Sequence, residues 1–215
     1  MRFSLDAEPG PILLLMRHGK TKDNTDKDTK VRGWKDLPLS KEGEFEVQLF
    51  SYRLMPYAPK AIYHSDFLRD SQTAHILAGT LGISDVSPDY NARTWDTGLL
   101  SGQPEEDAEP VIAEIYKNPW QKAPGGSESL SDFFSRSWSF LEKKMDLAAK
   151  VPEMRPILVV THGRNLATAH SYITSSSMEQ GLMPKPGGFA VISIEPDRSL
   201  SIDIPGEKET ILRDV

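Results

Sequence analysis

Short apolar runs alternate with longer amphipathic segments along this chain. Residues 12–16 (Ile-Leu-Leu-Leu-Met), 61–63 and 157–161 are mostly apolar and lack a helical period, which is typical of buried strands. Residues 189–194 and 200–204 flank the turn-forming pair Pro196-Asp197, and this pattern predicts a hairpin.

Five further segments have the pattern of helices. Ser40 precedes the first, which carries Phe45, Leu49 and Tyr52. The others begin near residue 67 (capped by Ser65 or Asp66), near 105, after Ser127 or Ser129, and near 165. The longest reaches about residue 150, and its apolar positions share one face: Leu130, Phe133, Phe134, Trp138, Leu141, Met145 and Ala148. Strands that alternate with helices predict a layered α/β fold.

Two of the predicted strands end in the same dipeptide. The strand predicted at residues 12–16 is followed by Arg17-His18-Gly19. The strand predicted at residues 157–161 ends at Thr161 and is followed by His162-Gly163. Ligands of open α/β sheets bind beyond the carboxyl ends of the strands, so we expect the two histidines to meet at one edge. A helix that begins after His162 would also present backbone N–H groups to an anion.

Composition narrows the classes of protein that remain. The 215 residues suit one domain over 1–215, and 25 basic against 31 acidic residues give a net charge of −6, which disfavours a general nucleic-acid-binding surface. The absence of cysteine excludes disulfides and thiol chemistry. No apolar run approaches the roughly 20 residues of a membrane span, and residues 12–16 are too short for a secretory signal. We therefore expect a cytoplasmic protein without nucleic-acid or membrane partners.

The residues at the strand ends can perform phosphoryl chemistry. A neutral imidazole such as that of His18 can attack phosphorus, and the adjacent Arg17 can hold two phosphate oxygens. Arg69 lies in the first turn of its predicted helix, where the helix dipole disfavours a cation. It is therefore either a phosphate clamp or a surface arginine paired with Asp66 or Asp70. Each histidine could instead be structural.

Five blocks in this order resemble the histidine phosphatase superfamily, the phosphoglycerate mutase-like family. They run from residue 12 to about 170: Arg17-His18-Gly19-Lys20-Thr21; Arg32-Gly33-Trp34 followed by Gly43; Ser65-Asp66 followed by Arg69, Gln72-Thr73-Ala74; Gly125-Gly126-Ser127-Glu128-Ser129; and Val160-Thr161-His162-Gly163.

The resemblance implies a three-layer α/β/α sandwich with a mostly parallel central sheet. It implies His18 as the nucleophile that accepts the phosphoryl group, with Arg17, Arg69 and His162 around the phosphate. Asn24 matches a position that often contacts the phosphate, and Thr21, Gly163 and Glu128, which belong to the quoted blocks, are further candidates for binding the substrate or its phosphate. It implies a small phosphorylated substrate, no cofactor and no metal, since the spacing of the histidines matches no metal motif.

The chain departs from the family at the general acid. Many members carry a glutamate four residues before a glycine, where Thr94 stands before Gly98. Asp96 is the predicted substitute, although an aspartate there could equally cap a turn. Glu128 is the reserve candidate, followed by Glu105 or Glu106. Lys20 is a second departure, since the family usually has Glu or Gln there.

The leading hypothesis is a metal-independent phosphomonoester hydrolase that works through a phosphohistidine. One alternative is a cofactor-dependent sugar-phosphate mutase, and another is a non-catalytic phosphate-binding module with a weakened acid. Residues 84–124 are expected to form a lid or mouth. Arg93 and Arg164 are candidates for binding a second anionic group, or are surface residues, and Trp34 and Trp95 are candidates for the mouth.

Overall fold

A seven-stranded sheet is the centre of the computed structural model, which describes residues 7–25, 28–177, 181, 183–205 and 210–212. Its strands are β1 Gly10–Arg17, β4 Ala61–His64, β5 Val86–Pro88, β6 Ile157–Thr161, β7 Phe189–Ile194, β8 Leu200–Asp203 and β9 Thr210–Leu212. Two further short strands, β2 Asn24–Thr25 and β3 Asp28–Thr29, pair with each other.

The strand order is β5-β4-β6-β1-β7-β8-β9. Neighbouring strands are parallel from β5 to β1 and antiparallel from β1 to β9. The sheet is thus mixed, and its antiparallel part contains the predicted hairpin. Arg17 is in register with Thr161, and the His18 backbone N–H donates to the Thr161 carbonyl at 2.9 Å. The two His-Gly pairs therefore leave the sheet side by side.

Helices cover both faces, as the layered prediction requires. They are α1 Lys41–Leu54, α2 Leu68–Leu81, α3 Glu105–Lys117, α4 Leu130–Lys150 and α5 Gly163–Thr174. Leu14 and Met16 of β1 pack with residues of α1 and α2, whereas Leu13 and Leu15 pack with residues of α4 and α5. Alternate side chains of this strand enter opposite layers because a strand has a period of two. Each of the described helices is too short or too polar to cross a membrane.

Three helix starts test the predicted caps. Ser40 accepts a hydrogen bond from the Gly43 N–H at 3.0 Å, and Ser129 forms a capping box with Asp132. The cap of α2 differs from the prediction, because Asp66 is turned toward Arg93. The Leu68 N–H instead donates to Asp36 at 2.7 Å, so a carboxylate distant in sequence caps this helix.

The face that α1 buries is not the one marked by its largest apolar residues. Phe45, Leu49 and Tyr52 are all more than half exposed. The buried face consists of small and medium residues: Gly43, Val47, Ser51 and Leu54. This stripe brings the start of α1 close to the loop that follows His18.

A third apolar cluster joins α3 and the start of α4 to the segment around residue 95. Trp95 and Phe133 are fully buried there with Ile115 and Leu130. Trp138 belongs to the core under the sheet, as predicted, and stacks on Tyr172 at 3.7 Å between ring centroids. The third cluster places the first residues of α3 beside the carboxyl edge of the parallel strands.

The close approach at Gly43 generates a stability prediction. A Cβ on Gly43 would overlap the backbone carbonyl of Lys20, whereas nothing in the described chain lies within 4 Å of a Cβ on Gly79 in α2. We expect Gly43→Ala to lower the free energy of unfolding by about 1–3 kcal/mol and the control Gly79→Ala to raise it by up to about 1 kcal/mol. Urea denaturation measures both, and equal effects at the two positions would contradict this account of the contact.

Candidate active site

His18 lies at the carboxyl end of β1 and is 2% exposed. Its Nδ1 is 2.8 Å from the Gly19 carbonyl oxygen, and since a carbonyl only accepts, Nδ1 carries the proton. Nε2 is therefore the unprotonated nitrogen of the neutral ring, and its lone pair is available. Burial lowers the pKa of His18 well below its usual range, and the charges of Arg69 and Arg17 lower it further. The imidazole is neutral, as attack on phosphorus requires.

His162 and Arg69 lie opposite His18. The rings of the two histidines are 5.2 Å apart between centroids, and Arg69 Nη2 is 3.4 Å from His162 Nδ1. Arg69 is fully buried and donates to the backbone carbonyls of Lys35 at 2.8 Å and Gly33 at 3.2 Å. The geometry therefore favours Arg69 as a phosphate clamp over the alternative of a surface arginine.

Two more arginines border the same cavity. Arg17 donates to the Pro184 carbonyl at 2.8 Å, while its buried Nε has no hydrogen-bond partner among the described residues. Burial lowers its pKa to about 10. Arg32 also lines the cavity, and burial lowers its pKa. No role was predicted for Arg32 from the sequence, although the block Arg32-Gly33-Trp34 was a signal. We call Arg17, His18, Arg32, Arg69 and His162 the basic pocket.

An unforeseen carboxyl group lies behind this pocket. Asp70 is completely buried, with Oδ2 3.3 Å from His162 Nε2 and 3.8 Å from Arg69 Nε. Burial raises the pKa of Asp70 well above its usual range, against the opposing effect of Arg69. Sequence analysis considered Asp70 only as a surface partner of Arg69.

The basic pocket opens into a cavity of about 530 Å³. Its outer part, which we call the outer pocket, is lined by Glu105, Glu109, Ile112 and Tyr116 of α3 and by Arg164 of α5. Arg164 donates to the Tyr116 hydroxyl at 2.5 Å and lies 5.4 Å from the centroid of the Trp95 ring. The outer pocket therefore combines an apolar wall with groups of both charges.

The structure does not bring Asp96 to this cavity. Its Oδ2 accepts from the Ser127 N–H at 2.8 Å and from the Ser127 hydroxyl at 2.7 Å, and its Oδ1 accepts from the Gly98 N–H at 3.0 Å. Asp96 is also not among the described residues that line the cavity. These bonds hold the carboxylate in a loop outside the cavity lining, and this placement argues against the predicted acid role.

Glu128 is likewise engaged elsewhere. Both of its carboxylate oxygens accept from Arg136, at 2.7 and 3.0 Å. Arg136 also donates to the backbone carbonyls of Asn91, Arg93 and Thr94. This pair braces the segment that leads into the cavity, so neither the acid role nor the phosphate contact predicted for Glu128 has support in the geometry. Glu105 does line the cavity.

The remaining predicted residues separate into two groups. Gly163 and Trp95 line the cavity, whereas Thr21 forms an isolated bridge with Leu39 and lies outside the lining. Asn24 is in β2, and its side chain lies outside the described part of the structure.

Three further side chains lie outside the cavity lining. Lys20 pairs with Glu42 and Glu46 on the surface. Arg93 forms two hydrogen bonds of 2.7 Å with Asp66, and Trp34 donates to the Thr94 carbonyl at 2.8 Å.

The comparisons with known proteins agree with this geometry. Residues 13–200 match the sequence profile of the histidine phosphatase superfamily, branch 1, and the chain belongs to this family. It is 29% identical over 168 residues to phosphoglycerate mutase-like protein 4 of Arabidopsis thaliana, covering 75% of this chain and 70% of that protein. It is 30% identical over 158 residues to a probable phosphoglycerate mutase of Yersinia enterocolitica, covering 72% and 70%.

Solved structures show the same fold. A mycobacterial glucosyl-3-phosphoglycerate phosphatase superposes with a TM-score of 0.74 at 22% identity, covering 92% of this chain and 99% of that one. A phosphoglycerate mutase from Bacillus anthracis superposes with a TM-score of 0.77 at 20% identity, covering 94% and 95%. Proteins with this fold thus include a phosphatase and a mutase.

The buried histidines generate a prediction on protonation. We expect the rings of His18 and His162 to stay neutral in the folded protein as the pH falls from 8 through 6.5, because burial lowers the pKa of both, whereas in the urea-unfolded chain they titrate near pH 6.5. Carbon-13 NMR of the histidine rings measures this, with His18→Gln and His162→Gln for assignment. Below pH 6.5 the unfolded chain binds these protons and the folded protein does not, so each histidine lowers the free energy of unfolding as the pH falls.

Asp70 has the opposite influence on stability, because its raised pKa keeps a proton in the folded protein that the unfolded chain releases above about pH 3.9. A curve of the free energy of unfolding against pH reports the sum of these opposing effects. The carbon-13 shifts of the histidine rings report the protonation of the histidines alone. Titration of His18 near pH 6.5 in the folded protein would contradict the assignment of a neutral nucleophile.

Proposed function

We propose that this protein is a phosphomonoester hydrolase that works through a phosphohistidine on Nε2 of His18. The observation that carries the proposal is the hydrogen bond from His18 Nδ1 to Gly19, since it leaves a neutral Nε2 inside a buried pocket with three arginines. In this site Nε2 forms the N–P bond while the ester P–O bond breaks. Water then attacks phosphorus, the N–P bond breaks, and inorganic phosphate leaves.

The arginines supply the charge stabilisation that this reaction needs. Phosphoryl transfer depends mainly on positioning and on neutralising the oxygens of the transferred group. Arg17 and Arg69 are anchored by backbone carbonyls, and the buried Nε of Arg17 has no hydrogen-bond partner among the described residues. This N–H group is a donor that a phosphate can satisfy.

The outer pocket favours hydrolysis over the mutase alternative. A mutase must retain a bisphosphorylated intermediate, and a second phosphate in the outer pocket would meet the carboxylates of Glu105 and Glu109. Arg164 is the counter-charge there, and it is already engaged with Tyr116. Because relatives of this chain are named as phosphoglycerate mutases, mutase activity is the alternative that the experiment must test.

The test is phosphate release together with trapping of the intermediate. We expect the protein to release phosphate from aryl and sugar phosphates and to carry an acid-labile, alkali-stable phosphoryl group after rapid quenching. His18→Ala is expected to abolish both signals, since it removes the nucleophile.

Two other results would redirect the assignment. Interconversion of phosphoglycerates that depends on 2,3-bisphosphoglycerate, faster than hydrolysis, would establish the mutase. Binding of inorganic phosphate without turnover or a phosphoryl-histidine would establish a binding module.

The two outer carboxylates generate a prediction on specificity. We expect Glu105→Gln combined with Glu109→Gln to raise kcat/KM for a carboxylated phosphomonoester such as 3-phosphoglycerate by about tenfold, because two like charges are removed from a partly desolvated pocket. A neutral sugar phosphate should change by less than about twofold. Glu106→Gln, a neighbouring substitution outside the cavity lining, is the matched control. Equal effects on both substrates would contradict a charge-based role.

A further inference from the structure

An exposed apolar stripe runs along α1 on the side that faces away from the sheet. Phe45, Leu49 and Tyr52 occupy successive turns of the helix and are 61%, 52% and 57% exposed, and Met55, just after the helix, is 46% exposed. Residues with this spacing share one helix face. We call these four residues the α1 stripe. Single apolar residues on a surface are ordinary, whereas a contiguous apolar patch marks an interaction surface.

A groove of about 880 Å³ lies beside the α1 stripe, between α1 and α2. Its lining includes Phe45 and Gln48 of α1 and Ile76 and Gly79 of α2. A Cβ on Gly79 would have no atom of the described chain within 4 Å, so the groove is open at this point. It can therefore receive a large side chain from another molecule.

The charges at the two ends of α1 are opposite. At its start, Lys20 pairs with both Glu42 and Glu46, which leaves one net negative charge. Arg53, in the last turn, donates to a backbone carbonyl and has no carboxylate partner within 4.0 Å among the described residues. Glu42 and Arg53 are eleven residues apart, about three helical turns, and so lie on the same side of the stripe. An antiparallel copy of the same helix would bring each of these charges to its opposite.

We propose that two copies of this chain associate through this surface, by antiparallel packing of α1 about a two-fold axis beside Leu49. In this arrangement Phe45 lies level with Tyr52 of the second copy, and Leu49 packs beside Leu49 of the second copy. Tyr52 of each copy enters the groove of the other above Gly79, and Arg53 approaches Glu42 of the other. A two-fold interface requires a surface that is complementary to itself in this way.

The size of the surface sets the expected strength of the dimer. An aromatic side chain has about 150–250 Å² to bury, so the partly exposed rings of Phe45 and Tyr52 from two copies contribute about 500 Å². Leu49, Met55 and the rim of the groove bring the total toward the roughly 1,200 Å² of the smallest stable interfaces. We therefore expect a dimer that dissociates in the micromolar range.

Sedimentation velocity of the full chain over about 1–100 μM tests for the dimer. We expect Leu49→Glu to raise the dissociation constant by about 30-fold or more, because it places two like charges at the centre of the interface. Leu99→Glu is the matched control, since Leu99 is 71% exposed and lies outside the α1 stripe, and it should leave the dissociation constant unchanged. Thermal unfolding shows that both variants fold. A wild-type protein that stays monomeric over this range would overturn the proposal.

Two further measurements test which face is used and in which orientation. The chain has no cysteine, so Leu49→Cys introduces a single thiol beside the two-fold axis, and mild oxidation should join two chains through it faster than through Leu99→Cys. Arg53→Glu and Glu42→Lys should each weaken the dimer, and an equimolar mixture of the two variants should restore it, since opposite charges then meet at both ends. A dimer that persists in Leu49→Glu, equal cross-linking at the two positions, or a mixture that stays monomeric would contradict this interface.

Discussion

The burial of several cationic side chains at one edge of the sheet is the constraint on which this structure depends. Arg17 and Arg69 are withdrawn from water, and the resulting desolvation lowers the pKa of each. Such burial is unfavourable without a counter-charge. Backbone carbonyls and the carboxylates of Asp70, Asp36 and Glu105 offset part of it. A bound phosphate would supply the missing negative charge. The same burial, together with the charges of Arg69 and Arg17, lowers the pKa of His18, so a neutral imidazole and an anion site arise from one arrangement.

The rest of the molecule keeps these groups in place. The pairing of β1 with β6 fixes the separation of the two histidines, and Thr73 joins α2 to the loop after His18 by accepting from the Gly19 N–H at 3.1 Å. On the far side of the cavity, Arg136 and Glu128 brace residues 91–94, and Asp96 orders the Gly125–Ser127 turn. The carboxylates of Glu128 and Asp96, which were the candidate acids, therefore order the segments around the cavity.

The sequence predicted the features that depend on local pattern. Strand ends followed by His-Gly, the caps at Ser40 and Ser129, and the buried face of α4 were all readable, because period and capping act within a few residues. Side-chain direction in irregular segments was not readable. Asp96 has the right residue type and nearly the right position, but its orientation is decided by Ser127, 31 residues away. The exposure of Phe45 on α1 depends in the same way on distant packing against β1 and α2.

Asp96 and Asp70 show how the surroundings of a carboxyl group decide what it can do. A carboxylate that accepts three hydrogen bonds, as Asp96 does, is held in one orientation by its donors and orders the loop around them. A carboxyl group without such donors and without solvent, as in Asp70, is stabilised in its neutral form. The chain has Thr94 where the family resemblance implies an acid, and the nearby carboxylates of Asp96 and Glu128 are engaged in hydrogen bonds that order the segments around the cavity. A carboxyl group of suitable residue type can therefore act as an acid only where its surroundings leave it both protonated and within reach of the substrate.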